Sequence, residues 1–185
     1  MKKIAVIGAG ITGVTTAYQL MKKGYKVTIF EKQRYAAMET SFANGGQLSA
    51  CNGEVWTNWK TILQGIKWIF KKDAPLYINM KPSFHKLRWF LDFLFNVKNH
   101  EKNTIATVKM ALESNKILKN LLCEEDIKFD LKKKGILHLC NTKENFDHGI
   151  KINNWLKKAG LDRKPICNKE ISKIEPTINL ENFFG

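Results

Sequence analysis

The chain has 185 residues, enough for one good domain or two small ones, and it carries 31 Lys and Arg against 17 Asp and Glu for a formal net charge of +14. That charge invites a nucleic-acid reading, but arginine occurs only at positions 34, 88 and 163. The rest is dispersed lysine, so the bidentate arginine forks expected of a base- or phosphate-reading surface are missing and nucleic acid is excluded as a partner. Four cysteines (Cys51, Cys123, Cys140, Cys167) and four histidines (His85, His100, His138, His148) lie scattered. No pair has metal or redox spacing, which leaves no metal site and suits free thiols in a reducing cytoplasm.

The chain opens on Lys2 and Lys3 followed by an apolar run from Ile4. A secretory signal is the simple alternative for such a start. It fails here because three glycines within the run would weaken a signal helix and no small-residue cleavage pattern follows. The same residues read instead as a strand (Ile4, Val6, Ile7), a turn (Gly8-Ala9-Gly10-Ile11-Thr12-Gly13), a helix with Ala17 and Leu20 on its buried face, a stop at Gly24, and a second strand (Val27, Ile29) ending in Glu31. That order is a dinucleotide-binding βαβ unit. Gly8 allows a tight turn, Gly10 lets the backbone approach a pyrophosphate, and Gly13 lets helix and sheet pack closely. The helix N-terminus then favours anions, and Glu31 lies at roughly the twenty-residue spacing of an acid that accepts from ribose hydroxyls.

From Lys32 to Thr57 the periodicity stops, and Gly, Asn, Ser and Ala dominate. A loop this long is usually functional, and it leaves the sheet at the carboxyl edge where open α/β folds bind ligands. Helices are predicted over 59–71 and 83–97, separated by Ala74-Pro75 and Lys81-Pro82. The second is apolar nearly all round, through Phe84, Leu87, Trp89, Phe90, Leu91, Phe93, Leu94 and Phe95. It is too short for a span of about 20 residues. Burial between neighbours is one expectation. The other is peripheral contact with the anionic inner face of a membrane, helped by Lys67, Lys71, Lys72, Lys86 and Arg88.

A longer helix is expected over 103–123, with Ile105, Val108, Leu112, Leu118 and Leu122 on one side. Alternation then suggests two short antiparallel strands, 127–131 and 135–140, joined across Lys132 to Lys134. Helices over 143–158, stopped by Gly160, and over 169–174, stopped before Pro176, complete the chain. The fold class is therefore α/β: a partial Rossmann-like dinucleotide-binding βαβ unit with its loop over 1–57, followed by a helical region and a small α+β portion over 58–185.

The loop ETSFANGGQLS, Glu39 to Ser49, carries a family resemblance. It resembles the loop of the FAD-dependent D-amino acid dehydrogenase small subunits, within the wider D-amino acid oxidase and glycine oxidase family. That resemblance implies FAD rather than NAD for the 1–57 unit, which the glycines alone do not, and a substrate domain over 58–185. The similarity continues through Ile66 to Leu76, the 87–94 helix, GILHL at Gly135 to Leu139 and Ile174-Glu175-Pro176, and so covers the chain. The resemblance implies oxidative deamination of D-amino acids, with FAD as the hydride acceptor. It implies pyrophosphate contacts from Ile7 to Gly13, adenosine contacts from Glu31 and Lys32, phosphate or ribityl contacts from Thr40 and Ser41, and passage of Asn44, Gly45, Gly46, Gln47 and Leu48 near the flavin ring. Gly45 stands where the family has alanine. No catalytic residue is assigned.

Family members are much longer, and their further half supplies a third sheet strand and the residues that bind the substrate carboxylate. The resemblance thus implies an amino-terminal half, inactive as this chain alone and able to take a D-amino acid only when a second polypeptide completes it. The alternative is a non-enzymatic remnant of a decaying gene.

Overall fold

The computed structural model describes residues 1–71, 73–76, 79 and 81–184. Lys72, one of the predicted membrane-flanking cations, lies outside the described residues. The chain divides into two compact units, Met1–Gln47 and Leu48–Gly185. The division falls earlier than the domain line at 57 expected from the sequence.

In the first unit, β1 (Lys3–Ile7), α1 (Ile11–Lys22) and β2 (Lys26–Phe30) form the βαβ arrangement. The strands pair in parallel from Lys3 beside Lys26 to Ile7 beside Phe30. A sharp reversal at Gly24 makes this possible. Gly24 adopts φ +80°, its N–H donates to the Met21 carbonyl, and the Tyr25 N–H reaches back to the Leu20 carbonyl. This Schellman stop needs a left-handed residue, which glycine supplies without strain. Burial is shallow here, confined to Ala9 and Ala17.

The second unit is helical: α2 (Trp59–Ile69), α3 (Phe84–Asn96), α4 (His100–Glu124), α5 (Lys143–Ala159) and α6 (Asn168–Ile174). The starts of α2, α3 and α5 are written locally. The side chains of Asn58, Ser83 and Thr142 accept from the backbone N–H three residues on, at Thr61, Lys86 and Asn145, satisfying donors that a helix leaves open. The core forms between α4 and α5, where Val108, Ile152, Leu156 and Ala159 are buried and Ile105, Leu112, Trp155 and Leu161 pack around them. Gly160 (φ +94°) ends α5, and the Leu161 N–H donates back to the Leu156 carbonyl. The same motif that folds the chain thereby drops Leu161 onto the core.

Burial of the 83–97 helix between neighbours, one of the two readings of its composition, is not observed. Neither α2 nor α3 contains a buried residue. The strands expected over 127–131 and 135–140 are also absent: these residues make no ladder. Period-two alternation marks a segment able to pair, whereas pairing needs a partner, and an isolated hairpin is marginal in water. Here Ile127 and Phe129 stay exposed, the Leu131 N–H turns back to the Phe129 carbonyl, and Gly135 takes φ +87°.

Candidate functional site

The glycine turn builds its site from backbone geometry. Gly8 sits at φ +94°, and its N–H donates to the Phe30 carbonyl at 2.8 Å, clamping the end of β1 to the end of β2. Gly13 is the position where space decides the residue. A Cβ there would stand 1.9 Å from the Gly8 carbonyl oxygen, so α1 can begin against the turn only because no side chain intervenes.

Gly10 occupies the N-cap of α1 and offers no side chain to its open donors. Ser41 does so from thirty residues away: its Oγ accepts from the Ile11 N–H at 2.9 Å. The hydroxyl therefore stands where the first N–H groups of a helix favour an anion. A Cβ on Gly10 would approach this oxygen to 3.3 Å. The backbone of the turn is thus open towards a polar position rather than packed against another element.

Glu31 closes the other side. One carboxylate oxygen accepts from the Ala9 N–H at 2.6 Å and the other from the Gln33 N–H at 2.9 Å. These hydrogen bonds, Ala9's first and then Gln33's, hold the carboxyl below its ordinary range, so it remains an ionised acceptor at neutral pH. Each oxygen retains a lone pair beyond the one it uses here. The following chain is pinned as well, since the Ala37 N–H donates to the Ala9 carbonyl at 2.9 Å with Ala37 at φ +61°.

Together these groups frame a cleft of about 360 Å3. Ile7, Gly8, Gly10, Glu31, Lys32, Thr40 and Ser41 line it, all expected from the sequence. Ala9 is buried, and Ile11, Thr12 and Gly13, the first residues of α1, do not line the cleft, Ile11 meeting it only through its N–H to Ser41 Oγ. The Lys32 ammonium is turned to Glu39, 2.7 Å away, with Gln33 Nε2 donating to the same oxygen at 3.2 Å. Sequence reasoning missed Phe30, Gln33, Ala37, Met38 and Glu39 as lining residues. Only Phe30 carried a signal, as the last strand residue before the acid.

The remaining expected residues do not line this cleft. Asn44 folds the loop on itself, donating from Nδ2 to the Thr40 and Ser41 carbonyls and accepting at Oδ1 from the Gly46 N–H at 2.7 Å. Gly46 has φ +62°, while a Cβ on Gly45 would meet nothing within 4 Å. Gln47 ends the first unit and Leu48 begins the second. Among the described residues no group of three His, Cys, Asp or Glu side chains is arranged to hold a metal ion.

The donor set suits the adenosine diphosphate portion of a dinucleotide. It has a glycine turn that a Cβ would fill, a helix start facing a polar cleft, and an ionised acid at the end of β2. The comparisons agree. A family model described as FAD dependent oxidoreductase matches residues 3–185. D-amino acid dehydrogenase 3 of Mesorhizobium japonicum is 50% identical over 185 residues, which is 100% of this chain and 45% of that protein. The D-amino acid dehydrogenases of Paramagnetospirillum magneticum and Dechloromonas aromatica are 37% and 34% identical over 179 residues, covering 95% and 96% of this chain and 42% and 43% of theirs. The chain spans under half the length of these curated relatives. No solved structure matches it.

Proposed function

The chain belongs to the family of FAD-dependent oxidoreductases, and from that premise we propose that it holds the adenosine diphosphate end of FAD for the dehydrogenation of D-amino acids. The reaction is proposed for this chain together with the sequence its relatives carry beyond the matched stretch. The observation that carries the reading is the cleft in which Ser41 Oγ meets the Ile11 N–H and Glu31 is anchored on the Ala9 N–H. Glu31 would accept from ribose hydroxyls, and the Gly8 to Gly13 backbone with the start of α1 would receive the pyrophosphate, Ser41 beside it. Thr40 lines the same cleft, and Asn44 to Leu48 would lead on towards the flavin. When bound, FAD supplies the two-electron acceptor for oxidation at the substrate's α-carbon. The chain's own residues bind and orient.

Equilibrium dialysis of the chain against ADP and FAD tests this. Both should bind, and Glu31→Gln should weaken both by about tenfold, the loss of one charge-assisted hydrogen bond. A folded chain that takes up neither ligand, or an unchanged affinity in Glu31→Gln, would overturn it.

Contact with an anionic lipid surface is a second reading, favoured by α2 and α3. Trp59, Leu63, Ile66, Phe84, Trp89 and Phe95 are all exposed, and Lys67, Lys86 and Arg88 lie among them. Apolar and aromatic side chains beside cations suit the headgroup boundary. No helix among the described residues is long and apolar enough to cross a membrane. The chain should co-sediment with phosphatidylserine vesicles and be released by raised salt; failure to co-sediment at low salt removes the reading.

A further inference from the structure

The second unit contains a thiol with a base beside it. Cys51 Sγ lies 3.0 Å from His138 Nε2 and 2.8 Å from Ser49 Oγ. The contact joins positions eighty-seven residues apart, the single helical turn at Ala50–Asn52 and the irregular segment that contains His138. All three side chains are partly buried and stand on the wall of a cleft of about 1570 Å3. Among the described residues, Cys51 is the cysteine with a histidine nitrogen at hydrogen-bond distance. Cys123 and Cys167 are exposed instead.

The surroundings favour the neutral imidazole. Burial, and then the Arg163 guanidinium, hold His138 below the ordinary imidazole range. Arg163 is itself immobilised, donating from Nε to Asn153 Oδ1 at 2.6 Å and from Nη2 to the Gly149 carbonyl at 3.0 Å. The imidazole is therefore neutral at neutral pH, and one ring nitrogen has a free lone pair. With that lone pair at Nε2, the Cys51 S–H donates to His138 while the Ser49 hydroxyl donates to the sulfur. A nucleophile and a base within hydrogen-bond reach, with a further donor on the nucleophile, form the arrangement that activates a thiol at the moment of attack.

We propose that Cys51 is an activated thiol that a small peroxide oxidises to a sulfenic acid, with His138 as the base that takes its proton. The sulfur attacks one peroxide oxygen, the S–O bond forms and the O–O bond breaks. The thiol proton passes to His138 and on to the departing hydroxide, which leaves as water. Sulfur loses two electrons and the peroxide gains them. The product is reversible by thiols, and its added oxygen replaces the contact that ties Cys51 to the 135–140 segment.

The test is a ranking of four thiols in the intact chain, treated with hydrogen peroxide, trapped with dimedone and mapped by mass spectrometry. General-base assistance should make Cys51 label at least about tenfold faster than Cys123 or Cys167, against the order of their exposure. His138→Gln should bring Cys51 to the rate of the other thiols or below and leave theirs unchanged, and a reductant should reverse the wild-type labelling. Burial alone would make Cys51 slower than the exposed thiols. Cys51 labelling no faster than Cys123 in the wild-type chain therefore overturns the proposal without any variant, as does an unchanged Cys51 rate in a folded His138→Gln.

Discussion

The βαβ unit and the helical unit are each stabilised by different physics. In Met1–Gln47 the buried side chains are two alanines, and the geometry is set by backbone groups: Gly8 to Phe30, Ala9 to Glu31, Ala37 to Ala9. In Leu48–Gly185 the buried set includes Val108, Ile152, Leu156 and Ile171, and packing does the work. The contrast extends to helix starts. Helices α2, α3 and α5 cap themselves with Asn58, Ser83 and Thr142, whereas α1 begins on a glycine and borrows Ser41. A helix that caps itself has less to offer an anion; one that begins on glycine keeps its donors for a ligand or a distant hydroxyl. The unit with the poorer core is the one that carries the cleft proposed for the cofactor.

The largest effect should come from the core. Leu156 is fully buried between α4 and α5 and also receives the Leu161 N–H at its carbonyl. Leu156→Ala removes side-chain contacts and leaves a cavity, at a cost of about 2–5 kcal/mol. The urea midpoint followed by helical circular dichroism should fall accordingly, while amide exchange in β1 and β2 keeps its wild-type rates. A parallel acceleration in both strands would break the comparison, because it would mean that the backbone-built unit depends on the packed one.

The comparison also explains which features were legible in the sequence. Gly8, Gly13, Gly24, Gly160 and the capping residues act through neighbours a few positions away, so local rules find them, and the helices over 59–69, 84–96 and 143–159 follow the same signals. Ser41 was expected to contact phosphates or the ribityl chain, but its bond to the Ile11 N–H joins residues thirty positions apart and nothing local encodes it. The Cys51–His138 contact was illegible for the same reason. The 127–140 region failed differently: its alternation reports the ability to pair, and no ladder forms there. Shallow burial also left a mark, since Ile7 and Phe30, apolar ends of a parallel pair that is normally covered on both faces, stand exposed.

Within the βαβ unit the glycines themselves differ, and a pair of alanine substitutions sharpens how far backbone approach, rather than glycine content, shapes the proposed site. At Gly13 a Cβ would stand 1.9 Å from the Gly8 carbonyl oxygen, an atom fixed in the turn, so the start of α1 must move away from β1. Overpacking of this kind costs about 1–3 kcal/mol or more, and with the turn opened Gly13→Ala should lose ADP binding by dialysis while the helical signal of the second unit persists. Gly45 shares the flexible residue type but not the constraint. Its φ is not positive and its missing Cβ faces open space, so Gly45→Ala should change stability by no more than about 0.5 kcal/mol and leave ADP affinity unchanged. Equal losses from both substitutions would show that loop flexibility, and not the close passage of Gly13 beneath Gly8, sets the shape of the cleft.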